Sequence, residues 1–383
     1  MRAASVSDYR ELARRRLPKI FFEYIDGGSY AEVTLKRNVA DLEAIALRQR
    51  VMCDMSALDM GVTTLGQTLA MPLALAPVGM AGMYARRGEV QAARAAKAMG
   101  VPFCLSAMGV CDAGEVAAGA GTPPWYQLYM LKDRGYMREL LGRVKALGCP
   151  VLVFTVDLPT PGARYRDVRS GFTGSTGVSG ALNQAWDGLT HPQWLWDVWA
   201  NGRPHTLGSV AGAVGGRHGR VTDFLSWVAR NFDRSVTWAD MDWVRETWDG
   251  PIVIKGVLDA EDAKSAVKAG AQGLVVSNHG GRQLDGVRSS ISALPRIADA
   301  VGSDLEVYMD GGVRSGLDVL KAMALGAKAC FIGRAWAYAL GAGGEAQVSR
   351  MLGTLRAELS VAMVLTGCAN LRDAGRNLLD IGD

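Results

Sequence analysis

Residues 252–277 read Ile-Val-Ile-Lys-Gly-Val-Leu-Asp-Ala-Glu-Asp-Ala-Lys-Ser-Ala-Val-Lys-Ala-Gly-Ala-Gln-Gly-Leu-Val-Val-Ser. This is one complete structural unit. An apolar run, Ile252–Lys255, leads into a helical stretch, Ala260–Ala269, which closes on Gly270, and a second apolar run follows at Gly273–Ser277. Neither run alternates polar with apolar residues, so both faces of each strand must be covered, as in a parallel sheet.

The same pattern extends in both directions. Further runs lie at Leu73–Pro77, Pro102–Ser106, Trp125–Tyr129, Val151–Asp157, Leu305–Asp310 and Ala329–Gly333. Helical stretches follow at Glu89–Met99 before Gly100 and at Arg138–Leu147 before Gly148. Eight such βα units predict an α/β chain folded as a (β/α)8 TIM barrel. A doubly wound sheet is the alternative, but no Gly-x-Gly-x-x-Gly follows the first run. Residues 1–383 read as a single domain. The first seventy residues are expected to form an N-terminal helical cap over the lower end of the barrel.

Composition narrows the function. The 383 residues are 49% hydrophobic and 21% charged, which is enough to bury a large core and excludes disorder, collagen and a small disulfide scaffold. Lys+Arg 42 against Asp+Glu 38 leaves +4 without a long basic run, so nucleic acid is not an expected partner. Six scattered cysteines, with no Cys-x-x-Cys pair, read as reduced thiols; neither disulfides nor a metal site is expected. Arg2, Arg10, Arg14, Arg15 and Arg16 rule out a signal-peptide core at the start. The uncharged run Met60–Ala85 is broken by Pro72, Pro77 and several glycines, so it is not a membrane span. A soluble or peripheral intracellular protein is expected.

The runs start roughly 20–30 residues apart except between the fourth and fifth, where the gap is about 100. This gap holds a long insertion after strand four, about 171–220, and eight of the ten tryptophans lie between Trp186 and Trp248. Two readings stand side by side. The segment is an ordered loop over the barrel mouth, or it is a membrane or partner contact, because tryptophan favours surfaces with one apolar and one wet side.

Chemistry in such a barrel belongs at the carboxyl ends of the strands. Those ends carry Ser106, Gln127, Tyr129, Thr155, Asp157, Lys255, the run Ser277-Asn278-His279-Gly280-Gly281-Arg282, Asp310-Gly311-Gly312-Val313-Arg314, and Gly333-Arg334. His279 is the only histidine outside the insertion and suits a general base, with Asp157 to fix its tautomer. Arg164 and Arg282 can grip a carboxylate, and Tyr24 and Tyr129 can donate hydroxyls to the same substrate. This set points to proton or hydride removal at a carbon next to a carboxylate. The Gly311-Gly312 turn and Gly333-Arg334 suit a phosphate. Lys255 suits a Schiff base or a fixed cation, so an aldolase or isomerase stays open on these residues alone.

The stretch Ser277–Gly286, Ser-Asn-His-Gly-Gly-Arg-Gln-Leu-Asp-Gly, closely resembles the FMN-dependent 2-hydroxy acid dehydrogenase/oxidase family. The resemblance covers essentially the whole chain, including Phe22–Gly28, Tyr126–Tyr129, Thr155–Asp157, Pro161–Asp167, Ile254–Gly256 and Asp310–Arg314. The stretches Ala74–Gly79, Gly82–Ala93 and Thr190–Trp194 are most similar to its bacterial membrane-associated L-lactate dehydrogenases.

The resemblance implies FMN as cofactor and oxidation of an L-2-hydroxy acid. L-Lactate leads, with mandelate or another 2-hydroxy acid as the alternative. It also implies roles. His279 is the base and Asp157 its partner; Arg164, Arg282, Tyr24 and Tyr129 bind substrate. Pro77, Val78 and Gly79 line the flavin face, Ser106, Gln127 and Thr155 meet its edge, and Lys255 and Ser277 are grouped with them. Asp310, Gly311, Gly312, Arg314, Gly333 and Arg334 hold the ribityl phosphate. A quinone or other respiratory acceptor is expected, with an oxygen-using oxidase as rival. So are a homotetramer and a peripheral place on the cytoplasmic face of the inner membrane, through Trp186, Trp194, Trp196 and Trp199 near Arg203, Arg217 and Arg220.

Overall fold

The computed structural model describes residues 2–173, 182, 185–214, 227 and 230–380. A small antiparallel hairpin comes first, β1 (Val62–Thr64) and β2 (Gln67–Leu69). The eight apolar runs then become β3 (Leu73–Leu75), β4 (Cys104–Ser106), β5 (Trp125–Tyr129), β6 (Leu152–Thr155), β7 (Ile252–Val257), β8 (Gly273–Val276), β9 (Glu306–Asp310) and β10 (Ala329–Ile332). All pair in parallel in the order β3-β10-β9-β8-β7-β6-β5-β4, and a bridge from Leu75 to Phe103 brings the two edges together. The fold is a (β/α)8 TIM barrel. Its interior is filled by side chains such as Trp125, Val153, Val253, Val275, Tyr308 and Phe331, so the barrel is a packed core and its site can lie only at a mouth.

The start of the chain departs from expectation. Helix α1 (Val6–Arg16) begins with a capping box between Ser5 and Asp8, and is followed by α2 (Lys19–Asp26) and α3 (Val33–Ala44). Among the described residues, none of these three helices plugs the lower end. The β1–β2 hairpin does so: Leu65 packs on the interior cluster, Thr64 hydrogen-bonds Glu306 and Tyr308, and Trp125 Nε1 donates to Gln67 at 3.2 Å. Helix α2 instead reaches the opposite rim. It is held there by buried Asp26, which accepts from Arg10 Nη2 at 2.8 Å, Arg166 Nη2 at 2.8 Å and the Tyr338 hydroxyl at 2.7 Å. Burial alone would raise this carboxyl, but those donors and the Arg10 charge hold it far below the usual range.

The insertion also divides. Trp194 is 6% exposed, stacks near Phe21 and donates its indole N–H to Met83 O at 2.8 Å, so it anchors the segment inward and is not part of an outward patch. Trp186, Trp196 and Trp199 are exposed, as are Leu182 and Leu189. Arg203 lies over the Trp199 ring, whereas Arg217 and Arg220 fall outside the described residues.

Candidate active site

A cavity of about 640 Å³ opens at the carboxyl ends of the barrel strands. Strand ends supply Ser106, Tyr129, Thr155, Lys255, Asp310 and Gly333 to its wall, while α2 supplies Tyr24 and the loop after β8 supplies His279 and Arg282.

His279 Nδ1 lies 2.8 Å from Asp157 Oδ1. Burial would raise the Asp157 carboxyl, but the His279 ring and Lys255 outweigh it and keep the acid below its ordinary range. An anion is therefore maintained behind the ring, which fixes the tautomer and leaves Nε2 as the free nitrogen. His279 has a left-handed backbone, φ 57°, which is costly for a side chain of this size and is stabilised by its N–H bonding Ser277 Oγ at 3.0 Å.

Lys255 Nζ is 2.6 Å from Asp310 Oδ2 and donates to Ser277 Oγ at 2.9 Å. Burial works against the ammonium, yet Asp310 and Asp157 more than compensate and its pKa rises, so Lys255 is a fixed cation rather than a neutral nucleophile. Ser277 supports Lys255 and His279, and like Gln127 it stands one layer behind the residues lining the cavity.

The two arginines meet on one side of the cavity. Arg282 Nη1 donates to the carbonyls of Tyr24 at 2.5 Å and Gly27 at 2.8 Å, and its guanidinium sits 4.7 Å over the Tyr24 ring. Arg164 Nε donates to Arg282 O at 3.2 Å, and burial together with the Arg282 charge lowers its pKa. Two cations thus converge, with Asp167 the one acid beside them among the described residues. Such a pair favours an incoming carboxylate.

Residues 13–381 match the family model described as FMN-dependent dehydrogenase. The chain belongs to that family, and FMN is its cofactor. It is 57% identical over 379 residues to an L-lactate dehydrogenase of Caulobacter vibrioides, covering 99% of this chain and 98% of that protein. Among solved structures it is similar to the monotopic membrane protein (S)-mandelate dehydrogenase, with a TM-score of 0.92, 30% identity, and coverage of 99% and 100%. A mandelate oxidase with (S)-4-hydroxymandelic acid has a TM-score of 0.84 and 37% identity, with coverage of 99% and 98%.

The cavity fits the flavin. Among the described residues, buried polar atoms with no protein partner include Gln127 Nε2, Thr155 Oγ1 and Asp310 Oδ1, which are free to meet a ring edge and a ribityl chain. Gln127 lies one layer back, its Oε1 accepting from the Ser106 hydroxyl at 3.1 Å. Pro77, Val78, Gly79, Gly311, Gly312, Arg314, Gly333 and Arg334 all line the cavity. Gly312 needs its φ of 91° and its missing side chain, since a Cβ there would lie 2.1 Å from Asn38 O. Arg334 is less free than its position suggests. Three of its N–H groups already go to the carbonyls of Ile25, Gly27 and Gly280, and burial, with Arg282 and Arg314 close by, lowers it to about 9. The Arg314 guanidinium makes one such bond, to Val313 O.

Sequence reasoning missed several wall residues. Phe172 packs on Tyr24 with centroids 4.6 Å apart, and Phe232 meets Tyr129 edge-on at 5.5 Å. Both come from the long β6–β7 connection, where no motif marks them. Asp167 also lines the cavity; it ends a quoted motif, and its spacing of three from Arg164 was the available signal.

Proposed function

We propose that this protein oxidises L-lactate to pyruvate at the flavin and passes the electrons to a membrane quinone. The observation that carries the reading is the convergence of His279, with its Asp157 partner at 2.8 Å, and the arginine pair on one face of the cavity. Arg164 and Arg282 hold the substrate carboxylate, which orients the α-carbon and its hydroxyl. Tyr24 and Tyr129 contact the hydroxyl and the carboxylate. His279 Nε2 accepts the proton, and Asp157 stabilises the resulting imidazolium. Bound FMN supplies the two-electron acceptor. Lys255, a fixed cation lining the cavity, would offset the negative charge that a bound flavin gains on reduction. Pro77, Val78 and Gly79 would face the ring, Ser106, Gln127 and Thr155 would meet its edge, Asp310 would accept from the ribityl chain, and Gly311, Gly312, Arg314, Gly333 and Arg334 would hold its phosphate.

Lactate is favoured by the 57% identity to a protein of that activity. Mandelate is the second reading, supported by the fold shared with mandelate dehydrogenase and by aromatic wall residues such as Phe172. No helix among the described residues is long and apolar enough to cross a membrane. The exposed Trp186, Trp196, Trp199, Leu182 and Leu189, together with Arg203, support a peripheral contact in the headgroup layer. We place that contact on the cytoplasmic face of the inner membrane and the assembly as a homotetramer.

The test is re-oxidation of the lactate-reduced protein. A soluble quinone should re-oxidise it much faster than dissolved oxygen, with little hydrogen peroxide formed. Fast re-oxidation by oxygen with stoichiometric peroxide makes it an oxidase instead.

A further inference from the structure

Three other buried carboxylates at this mouth each have a cation or imidazole within 2.8 Å. Asp157 has His279, Asp310 has Lys255, and Asp26 has Arg10 and Arg166. Asp167 differs. It is 2% exposed and lines the cavity, its Oδ2 lies 3.7 Å from Arg164 Nη1, beyond hydrogen-bond reach, and its Oδ1 has no partner among the described residues. The neighbouring Arg166 is taken by Glu23, Asp26 and Glu32. The local turn does not need the carboxylate either, because it is the Asp167 backbone carbonyl that accepts from Phe172 N, Thr173 N and Ser170 Oγ. A buried, half-satisfied carboxylate beside two arginines costs stability unless it serves the site.

We propose that Asp167 sets the charge of the arginine pair so that the pocket accepts a monocarboxylic 2-hydroxy acid and discriminates against a dicarboxylic one. Arg164 and Arg282 alone present two positive charges in a dry site, a match for a dianion. The fixed Asp167 anion cancels one of them. One substrate carboxylate then completes the balance, and a second finds no unpaired cation and an anion in its way. Specificity against the dianion thus comes from a repulsive element placed beside the attractive one. The inference deepens the lactate reading, since it rests on Arg164 and Arg282 as the carboxylate clamp.

The experiment uses the FMN-loaded protein at mildly alkaline pH, which favours the Asp167 anion against the upward push of burial. Half-saturating concentrations for anaerobic flavin reduction are measured with L-lactate and L-malate, and affinities for pyruvate and oxaloacetate are read from the flavin spectrum. In Asp167→Asn and Asp167→Ser, preference should shift toward the dianion by about tenfold or more in both pairs, as expected when a like charge facing a buried carboxylate is removed. Parallel weakening of monoanion and dianion would mean a merely structural role and overturns the proposal, as does an unchanged ratio. The wild type tests it without any variant: reduction by L-malate as readily as by L-lactate overturns it. A wild type that no 2-hydroxy monocarboxylate reduces defeats the lactate reading itself, whereas a lactate-reducible wild type with unshifted variants defeats only the role of Asp167.

Discussion

His279 Nδ1 and Asp157 Oδ1 stand 2.8 Å apart across the ends of two non-adjacent strands, with β7 between them. That distance assigns the tautomer, and the tautomer assigns the chemistry: the nitrogen that faces the cavity is the one able to take a proton. His279→Gln retains bulk and a hydrogen-bonding side chain but no base. Turnover with a soluble dye should fall by roughly 10²–10⁴ while FMN content stays at the wild-type level. Wild-type turnover in this variant would remove His279 from the reaction.

Arg282→Lys should not be conservative. The lysine cannot reach both the Tyr24 and Gly27 carbonyls while presenting a planar fork to substrate. Losing one buried charge-assisted contact predicts a Michaelis constant for lactate raised at least tenfold and weaker oxalate inhibition. Unchanged oxalate affinity in both Arg282→Lys and Arg164→Lys would place the clamp elsewhere.

Gly79 sits against Tyr24. A Cβ there would lie 3.1 Å from the Tyr24 hydroxyl and 3.3 Å from Met108 Cβ, tighter than ordinary contact. Gly79→Ala should therefore push Tyr24 or Met108 aside, at about 1–3 kcal/mol, and raise the lactate Michaelis constant without unfolding the barrel. Unaltered kinetics would show that this wall yields freely.

Asp26 ties the Tyr24 helix to the barrel, and its lowered carboxyl makes the tie pH-dependent. A depressed folded pKa adds stability above the unfolded value, about 4, and that stability is lost as pH falls through the folded value. Asp26→Asn should cost about 3 kcal/mol at neutral pH, the gap narrowing as pH drops below about 4. Denaturant unfolding at both pH values checks the sign; a gap that widens in acid would contradict it.

Trp186, Trp196 and Trp199 point outward and Trp194 does not. Replacing the three outward rings with serine should abolish sedimentation with anionic liposomes and leave lactate turnover with a soluble dye near wild type. Retained sedimentation would locate the membrane contact in another part of the surface.

The barrel was legible because β3 to β10 are covered on both faces, so each writes a continuous apolar run into the chain. The rim was legible because a core leaves no room for Lys255, Asp310 or Gln127 without a use. The β1–β2 hairpin was not, since two three-residue strands carry too little pattern to register. Nor was the split among the tryptophans: Trp194 and Trp196 look equivalent in composition, yet two positions on a helical backbone turn them to opposite sides. Phe172 and Phe232 reach the pocket only through tertiary packing of a long connection, which leaves no periodic trace.

This pocket is expected to remove two electrons from the α-carbon of a short 2-hydroxy acid. Anaerobic mixing of the yellow FMN-loaded protein with L-lactate measures this directly through the flavin absorbance. Complete bleaching by L-lactate, and none by D-lactate, is the predicted result. A flavin that stays oxidised with L-lactate, L-mandelate and every other L-2-hydroxy acid would contradict the account.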